Sequence, residues 1–454
     1  MHKIIFFFLV LNGLWGRAQD LVILHTNDIH SHLMGFSPET EYTPMVNKND
    51  STLGGFARVA GYIKSEKEKF DEKLLTLDAG DFLMGTLFQT IELKKGFQLN
   101  LMHETGYDFI AIGNHEFDYG PNSLAQIINN SQENGQIPQL LCSNYDFDKT
   151  TDAKKLKELF ANGTILPFDI VEKNNYRIGI LAIMGNKAAN YIPEIYNVEF
   201  EKMNKAARKT AKHLKKNKNV DIVIALSHSG IYRDDQGRWQ GEDIKLAEKN
   251  KHIDIIISGH SHTKVKQPIQ AGNTVVVQAA SSGLYVGRIE VVFGSFGKPL
   301  IQYKLVEMND TIKADRQIQK KIEAQIPYIE QSVLSTIGVN FYTPVLETSF
   351  DLTLNESKAA SSNLGPFVAD AMHHWMNTKN RPGTDIVAVA AGVIRNNIEA
   401  GEHGKQNIND IFNVMPLGLG YDSIPGTPLA KIHITGKELK QIMELILAVS
   451  DVRT

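Results

Sequence analysis

Short, unbroken apolar runs alternate along this chain with longer stretches whose apolar residues recur every three or four positions. From residue 20 to about 300 the order is "LVILHTN", the amphipathic "GGFARVAGYIKSEKEKF", "KLLTLDAG", "GFQLNLMHETG" and "DFIAIGN". After these come "RIGILAIMG", a lysine-rich helical stretch from Glu201 to Lys216, "VDIVIALSHSG", "IDIIISGHSH", "NTVVVQAASSG" and "GRIEVVF". Strand-like runs separated by helical periods predict an α/β domain with largely buried sheets. The lysines of 201–216 read as a solvated helix face. Residues 313 to 335, "KADRQIQKKIEAQIPYIEQSVLS", have helical period and predict a connecting helix, with Pro327 marking a kink or break. A second α/β pattern begins near 338. The expected division is therefore 1–18, 19–312, 313–337 and 338–454.

The first of these segments is a targeting signal by pattern. Lys3 supplies a positive start, Ile4 to Trp15 an apolar stretch, and Gly16-Arg17-Ala18 a small-x-small site, which predicts a signal peptide cleaved after Ala18. The stretch is too short for a stable membrane span. The expectation is an exported chain, periplasmic or extracellular.

Composition narrows the chemistry. The chain has 454 residues, 42% apolar and 22% charged, as expected of a globular protein with room for two or three domains. A net charge of −3 gives no reason to expect nucleic-acid or membrane-surface binding, and nothing in the sequence implies a protein partner. Cys142 is the single cysteine, so neither an internal disulfide nor a cysteine-based zinc site is available. Any metal must be held by oxygen and imidazole nitrogen.

Polar residues suited to that task occur where apolar runs stop. Asp28 and His30 follow "LVILHTN", Asp81 follows "LLTLDAG", and Asn114 and His115 follow "FIAIG". His228 ends "IVIALS", and His260 and His262 follow "IDIIISG". Side chains at the carboxyl ends of neighbouring strands converge on one crevice. A lone histidine there is most simply a hydrogen-bonded structural residue, but five such strand ends point to metal. Alternate residues of extended chain point the same way, so Asp28 and His30, like His260 and His262, can each reach one centre. Mixed N and O donors suit Zn, Mn or Fe. Seven donors exceed one tetrahedral ion but fit two ions sharing a carboxylate, an arrangement that clamps both oxygens of an in-line displacement and lowers the pKa of a bridging water. That is phosphoester hydrolysis chemistry.

The blocks "DIH", "GD", "GNHEFD", "SHSG" and "GHSH" resemble the signatures of the calcineurin-like metallophosphatases. More narrowly, "LHTNDIHSHL", "GGFARVAGYIK", "GNHEFDYG" and "SGHSHT" are similar to the 5′-nucleotidase and UDP-sugar hydrolase branch. The likeness continues more weakly through "NLGPFVADAM", "AAGVIRNNIEAG" and "HITGKELKQIME", which resemble that branch's C-terminal substrate domain. The resemblance implies an α/β/β/α catalytic sandwich, a connecting helix and a C-terminal α/β domain. It also implies two divalent transition-metal ions, Zn, Mn or similar. Asp28, His30 and His262 would hold one ion; Asn114, His228 and His260 would hold the other, with Asp81 bridging. His115 would face the phosphate oxygens and stabilise developing charge. Asp118 would keep that imidazole protonated and oriented. Arg395 would anchor the substrate's charge. The implied activity is hydrolysis of nucleoside phosphates by a metal-activated water. Alternatives are a phosphodiesterase or nucleotide-sugar hydrolase on the same scaffold, and a non-catalytic metal- or nucleotide-binding protein.

Other residues read as structural: Glu116; His25 and His32, which flank the first pair; and Cys142, a small buried hydrophobe. His373 and His374 are helix neighbours that do not share a face. The substrate domain departs from the pattern it resembles. Gly392 and Arg395 of the family's Asn-x-Gly-x-x-Arg block are present, but Ala390 stands at the asparagine, Ala360 at an expected arginine and Leu417 at an expected aromatic ring. The chain stops at Thr454, before the segment that bears a second aromatic ring and a Gly-rich, Asp-containing loop in the resembled pattern, so an incomplete C-terminal domain is expected.

Overall fold

The computed structural model describes residues 19–36, 42–150, 153–294, 299–354, 362–378, 383–401, 403–420 and 426–451. The signal peptide expected over 1–18 and the departure at Ala360 lie outside the described residues.

Among the described residues two large sheets carry the fold. One is ordered Leu300–Glu307, Tyr285–Val292, Leu21–Thr26, Leu74–Asp78, Phe109–Ala111, Gln139–Leu141, Ile165–Leu166. Its strands run parallel from Leu21–Thr26 onward, and the two edge strands on the other side are antiparallel. The other is ordered Ile269–Ala271, Thr274–Val277, Ile255–Ser258, Ile222–His228, Tyr176–Met184, Phe168–Lys173, with a parallel centre.

Side-chain alternation explains why these strands read as unbroken apolar runs. Leu21 and Ile23 share a core with Leu75, Leu77, Ile222, Ile224, Ile255 and Ile257, which places one face of each sheet against the other. Val22 and Leu24 instead join Phe56, Val59 and Ile63 of the helix Phe56–Phe70. On the second sheet Val223, Ala225 and Ile256 pack with Met203, Ala207 and Leu214 of the helix Met203–Asn217. Strands covered on both faces need apolar residues at every position. The layers are thus helix, sheet, sheet, helix. In Met203–Asn217 the buried residues recur at helical spacing and the lysines take the remaining face.

The connecting segment, expected to kink or break near Pro327, is two helices, Arg316–Glu323 and Ile326–Ser332, followed by a short 3-10 turn. Pro327 opens the second helix, where its missing N–H costs nothing. Asp315 caps the first by accepting the N–H groups of Gln317 and Ile318. Ile318, Ile322, Ile326, Ile329 and Leu334 are buried in the same core as Phe56, so this segment is built into the larger body.

Beyond it, among the described residues, Pro344–Glu347 pairs with Lys405–Asn407, and Leu352, Leu364, Val368, Ile394, Ile398 and Val414 form a separate small core. This part docks on the first: Gln89 Nε2 donates to the Pro416 carbonyl at 2.7 Å, and Phe412 and Leu417 pack against the larger core. No helix among the described residues is long and apolar enough to cross a membrane.

Candidate metal centre

Every predicted ligand leaves its strand at the same rim of the sandwich. Asp28, His30 and His262 form one group and Asp81, His228 and His260 a second, with the ligand-capable atoms of each group within 4.8 Å of one another. Asp81 Oδ2 is 3.0 Å from His228 Nε2 and 4.0 Å from His30 Nε2, so it lies between the groups. Asn114 Oδ1 is 3.1 Å from His228 Nε2 and belongs to the second. His30 Nε2 and His262 Nε2 are 2.9 Å apart.

The backbone achieves this differently from the expectation. Asp28, His30, Asp81, His260 and His262 all have positive φ, between 51° and 74°. Extended chain does not aim the Asp-x-His and His-x-His pairs; consecutive turns do, in a left-handed conformation that non-glycine residues seldom adopt. The turns are held by buried polar contacts. The Asp28 carboxylate accepts the His260 N–H at 2.9 Å and the Asn27 side-chain amide at 2.7 Å. Glu116, 2% exposed, accepts the N–H groups of Asp81, Leu83 and Gly113. Two glycines are required by crowding: a Cβ on Gly113 would collide with Asp81, and one on Gly259 would meet His228 Nδ1 at 2.8 Å.

The ring orientations are fixed from behind. His30 Nδ1 is 3.1 Å from the Leu83 carbonyl and His228 Nδ1 is 2.9 Å from that of Ala79, which leaves each Nε2 facing the centre. Burial, reinforced by neighbouring cations, holds His30 well below the usual imidazole range and His260 and His262 at about 3, so their lone pairs are free at ordinary pH. Burial and the adjacent Asp81 push Asp28 up to about 7, against the pull of His228. Burial opposes protonation of His228, but Asp81 and Asp28 outweigh it and raise the group to about 10. His30, His260 and His262 thus offer neutral nitrogen donors beside the two crowded buried carboxylates of Asp28 and Asp81. The donor set has no thiolate and mixes N with O, which fits divalent transition ions.

His115 stands beside the groups. Its Nδ1 is 2.7 Å from Asp118 Oδ2, and its own N–H donates to Asp81 Oδ1 at 2.8 Å. Burial would lower it, but Asp118 and Asp81 prevail and raise it above its usual range. Arg395, from the C-terminal part, brings Nη2 to 3.5 Å from His115 Nε2.

The remaining candidates fall elsewhere. His25 is fully buried, its ring stacked against Tyr303 with both nitrogens unpartnered. His32 lies at the rim, 3.2 Å from the Asn396 side-chain amide. His373 and His374 are exposed on the helix Leu364–Asn377, and burial pushes the Cys142 thiol up to about 12. Asn27 and Asn396 were not singled out by sequence; the adjacency of Asn27 to Asp28 was the available signal.

Comparison with known proteins gives a consistent picture. Residues 21–264 match the calcineurin-like phosphoesterase family and residues 337–453 the 5′-nucleotidase C-terminal domain. The trifunctional nucleotide phosphoesterase protein YfkN of Bacillus subtilis is 26% identical over 95% of this chain, which spans 28% of that protein. Against the endonuclease YhcR of the same organism the chain spans 32%. The 5′-nucleotidase of Rattus norvegicus is 25% identical over 95% of this chain and 75% of its own. In fold the chain is similar to the 5′-nucleotidase precursor of Thermus thermophilus, with TM-score 0.66 and 24% identity over 87% of this chain and 73% of that one.

Proposed function

The chain belongs to the calcineurin-like phosphoesterase family, and we propose that it is a metal-dependent phosphomonoester hydrolase of the 5′-nucleotidase type. The observation that carries this reading is the convergence of two N/O donor groups with the His115–Asp118 pair and Arg395 at one rim. A protein that only stored metal would have no use for the last three.

Asp28, His30 and His262 would hold one ion and Asn114, His228 and His260 the other, with Asp81 shared. Two such ions supply Lewis-acid polarisation of phosphoryl oxygens and a lowered pKa for the water nucleophile. The chain's own groups do the rest. His115, protonated with Asp118 behind it, presents Nε2–H to the oxygens where charge accumulates. Arg395 offers a planar donor fork to the same phosphoryl group from the opposite domain. Asp118 keeps the imidazole turned so that Nε2, and not Nδ1, faces the substrate.

The substrate class we infer is a nucleoside phosphate. Matches to the 5′-nucleotidase C-terminal domain and to relatives named 5′-nucleotidase support it. Export is supported by the charged, apolar and small-residue order of positions 3–18 and by relatives named snake venom 5′-nucleotidase. The test is metal analysis of the purified chain together with phosphate release from nucleoside monophosphates, 2′,3′-cyclic nucleotides and nucleotide sugars. About two ions per chain and fastest release from monophosphates are expected. A mononuclear protein, or one faster on diesters, would overturn the reading.

A further inference from the structure

Behind the second donor group lies a carboxylate that the chemistry above does not use. We propose that Asp243 is a positioning residue that sets the spacing of His228 and His260, and so governs the affinity of the ion they would share. The inference rests on the dinuclear reading.

Asp243 is completely buried in the first turn of the helix Glu242–Lys249. Its Oδ1 accepts the Ser229 hydroxyl at 2.6 Å and its Oδ2 the Ser258 hydroxyl at 2.6 Å. Ser229 directly follows His228, and Ser258 ends the strand two residues before His260. The Ser227 hydroxyl is 3.0 Å from that of Ser229, and Ser227 pairs with Ser258 across the parallel register. One carboxylate therefore ties together the ends of two adjacent strands on either side of the histidines they carry. Burying a carboxylate is costly without hydrogen-bond partners, and the serine hydroxyls supply them here.

Neighbouring contacts extend the brace. Glu242 accepts the Asn186 side-chain amide at 2.8 Å and the Lys187 N–H at 3.0 Å. That segment runs on to Tyr191, whose ring meets the His260 ring edge-on with centroids 5.3 Å apart. His262 is held by other means. The Ser261 hydroxyl bonds Gln278 Oε1 and accepts the Ile231 N–H, and the Thr263 hydroxyl bonds the Ile231 carbonyl. Loss of Asp243 should thus loosen the His228–His260 pair and spare the group of Asp28, His30 and His262.

The experiment strips the full chain of metal with a chelator and titrates Zn²⁺ calorimetrically, with a thermal melt of each variant as a check of folding. Wild type should show two sites. In Asp243→Ala one site should weaken by about 10–100-fold, the usual effect of removing a partner that orients a ligand, with the other site within about threefold of wild type. Asp243→Asn keeps one acceptor oxygen and should recover part of the loss. Should Asp243→Ala fail to fold, Asp243→Asn and the pair Ser229→Ala/Ser258→Ala read the same quantity. A folded variant that binds both ions as wild type does, or that weakens both equally, would overturn the role of Asp243 alone. Wild-type protein that binds no Zn²⁺ would reject the dinuclear reading and this inference with it.

Discussion

Arg395 Nη2 lies 3.5 Å from His115 Nε2, although 280 residues separate the two in sequence. Their meeting closes the metal rim with the C-terminal part, beside a second contact from Asn396 to His32. On the function proposed above, the two donors would share one phosphoryl anion at this point. Arg395→Ala should lower kcat/KM for phosphate monoesters by about 10–100-fold, the loss of a hydrogen bond to a charged group. Arg395→Lys should restore little of it, since a point charge cannot replace a planar fork. Steady-state kinetics on one monoester check this. Activity unchanged in Arg395→Ala would remove the C-terminal part from phosphate recognition.

His115 and Asp118 allow chemistry to be separated from metal binding. His115→Ala should keep metal content near that of wild type yet reduce kcat by about 10²-fold, as loss of one positioned donor does. Asp118→Asn should act in the same direction and less severely, because the Nδ1 contact at 2.7 Å survives as a neutral hydrogen bond. Metal analysis and kcat, measured on the same preparations, decide it. Metal lost in proportion to activity would make His115 a ligand.

The strand ends that carry the candidate site are legible in sequence because each apolar run gives way within a few residues to His, Asp or Asn. Even the crowding glycines are visible, as Gly113 in "GNHE" and Gly259 in "GHSH". The assignment of runs to sheets was not visible. Strands buried on both faces carry the same residues whichever sheet they join. Nor was the left-handed backbone at Asp28, His30, Asp81, His260 and His262, since no local propensity favours φ above zero for histidine over extended chain. Glu116 accepts three N–H groups, as a structural residue would, but they come from two separated segments, a pairing set only by the fold. Asp243 in "GEDIK" looks like any acid in a first helical turn.

A stability prediction falls outside the site. The Arg58 guanidinium, 1% exposed, donates to both Asp50 oxygens at 2.9 and 3.0 Å and to the Thr52 carbonyl at 2.9 Å. Asp50→Asn leaves that cation buried without its counter-charge and should cost about 3–5 kcal/mol. Burial pushes Asp50 up, but hydrogen bonds from Thr52, the Thr43 N–H and Arg58 prevail and hold it below its ordinary 3.8. A depressed folded value means the pair stabilises fully above 3.8 and loses its contribution as pH falls through the lower folded value. Urea unfolding of wild type should therefore show a falling midpoint through that acid window, and Asp50→Asn a flatter one. Equal midpoints for the two chains at pH 7 would show that the pair contributes nothing.

The last prediction concerns selectivity for the base. Two departures fall within the described part of the substrate domain. Ala390 is exposed at the start of the Ala391–Val393 turn, and a Cβ on Gly392 would meet nothing within 4 Å. Leu417, at the position of an expected aromatic ring, is half-buried against the larger core and is not presented as a flat platform. A base stacked on an aromatic side chain gains about 1–3 kcal/mol per contact in single-strand binders. A pocket that hydrogen-bonds its substrate also rejects analogues lacking the matching group, and Ala390 has no amide to offer. In the proposed role Arg395 would recognise charge, which every phosphate ester carries. The values of kcat/KM for AMP, UMP and p-nitrophenyl phosphate should then lie within about tenfold of one another, since a tenfold ratio corresponds to only about 1.4 kcal/mol. A preference of about 10³-fold for one nucleotide would overturn this. It would direct attention to Tyr191, 68% exposed and in edge contact with His260, as a ring that the catalytic domain itself supplies. Tyr191→Ala would then have to abolish the preference while leaving hydrolysis of a non-aromatic ester such as glycerol phosphate intact.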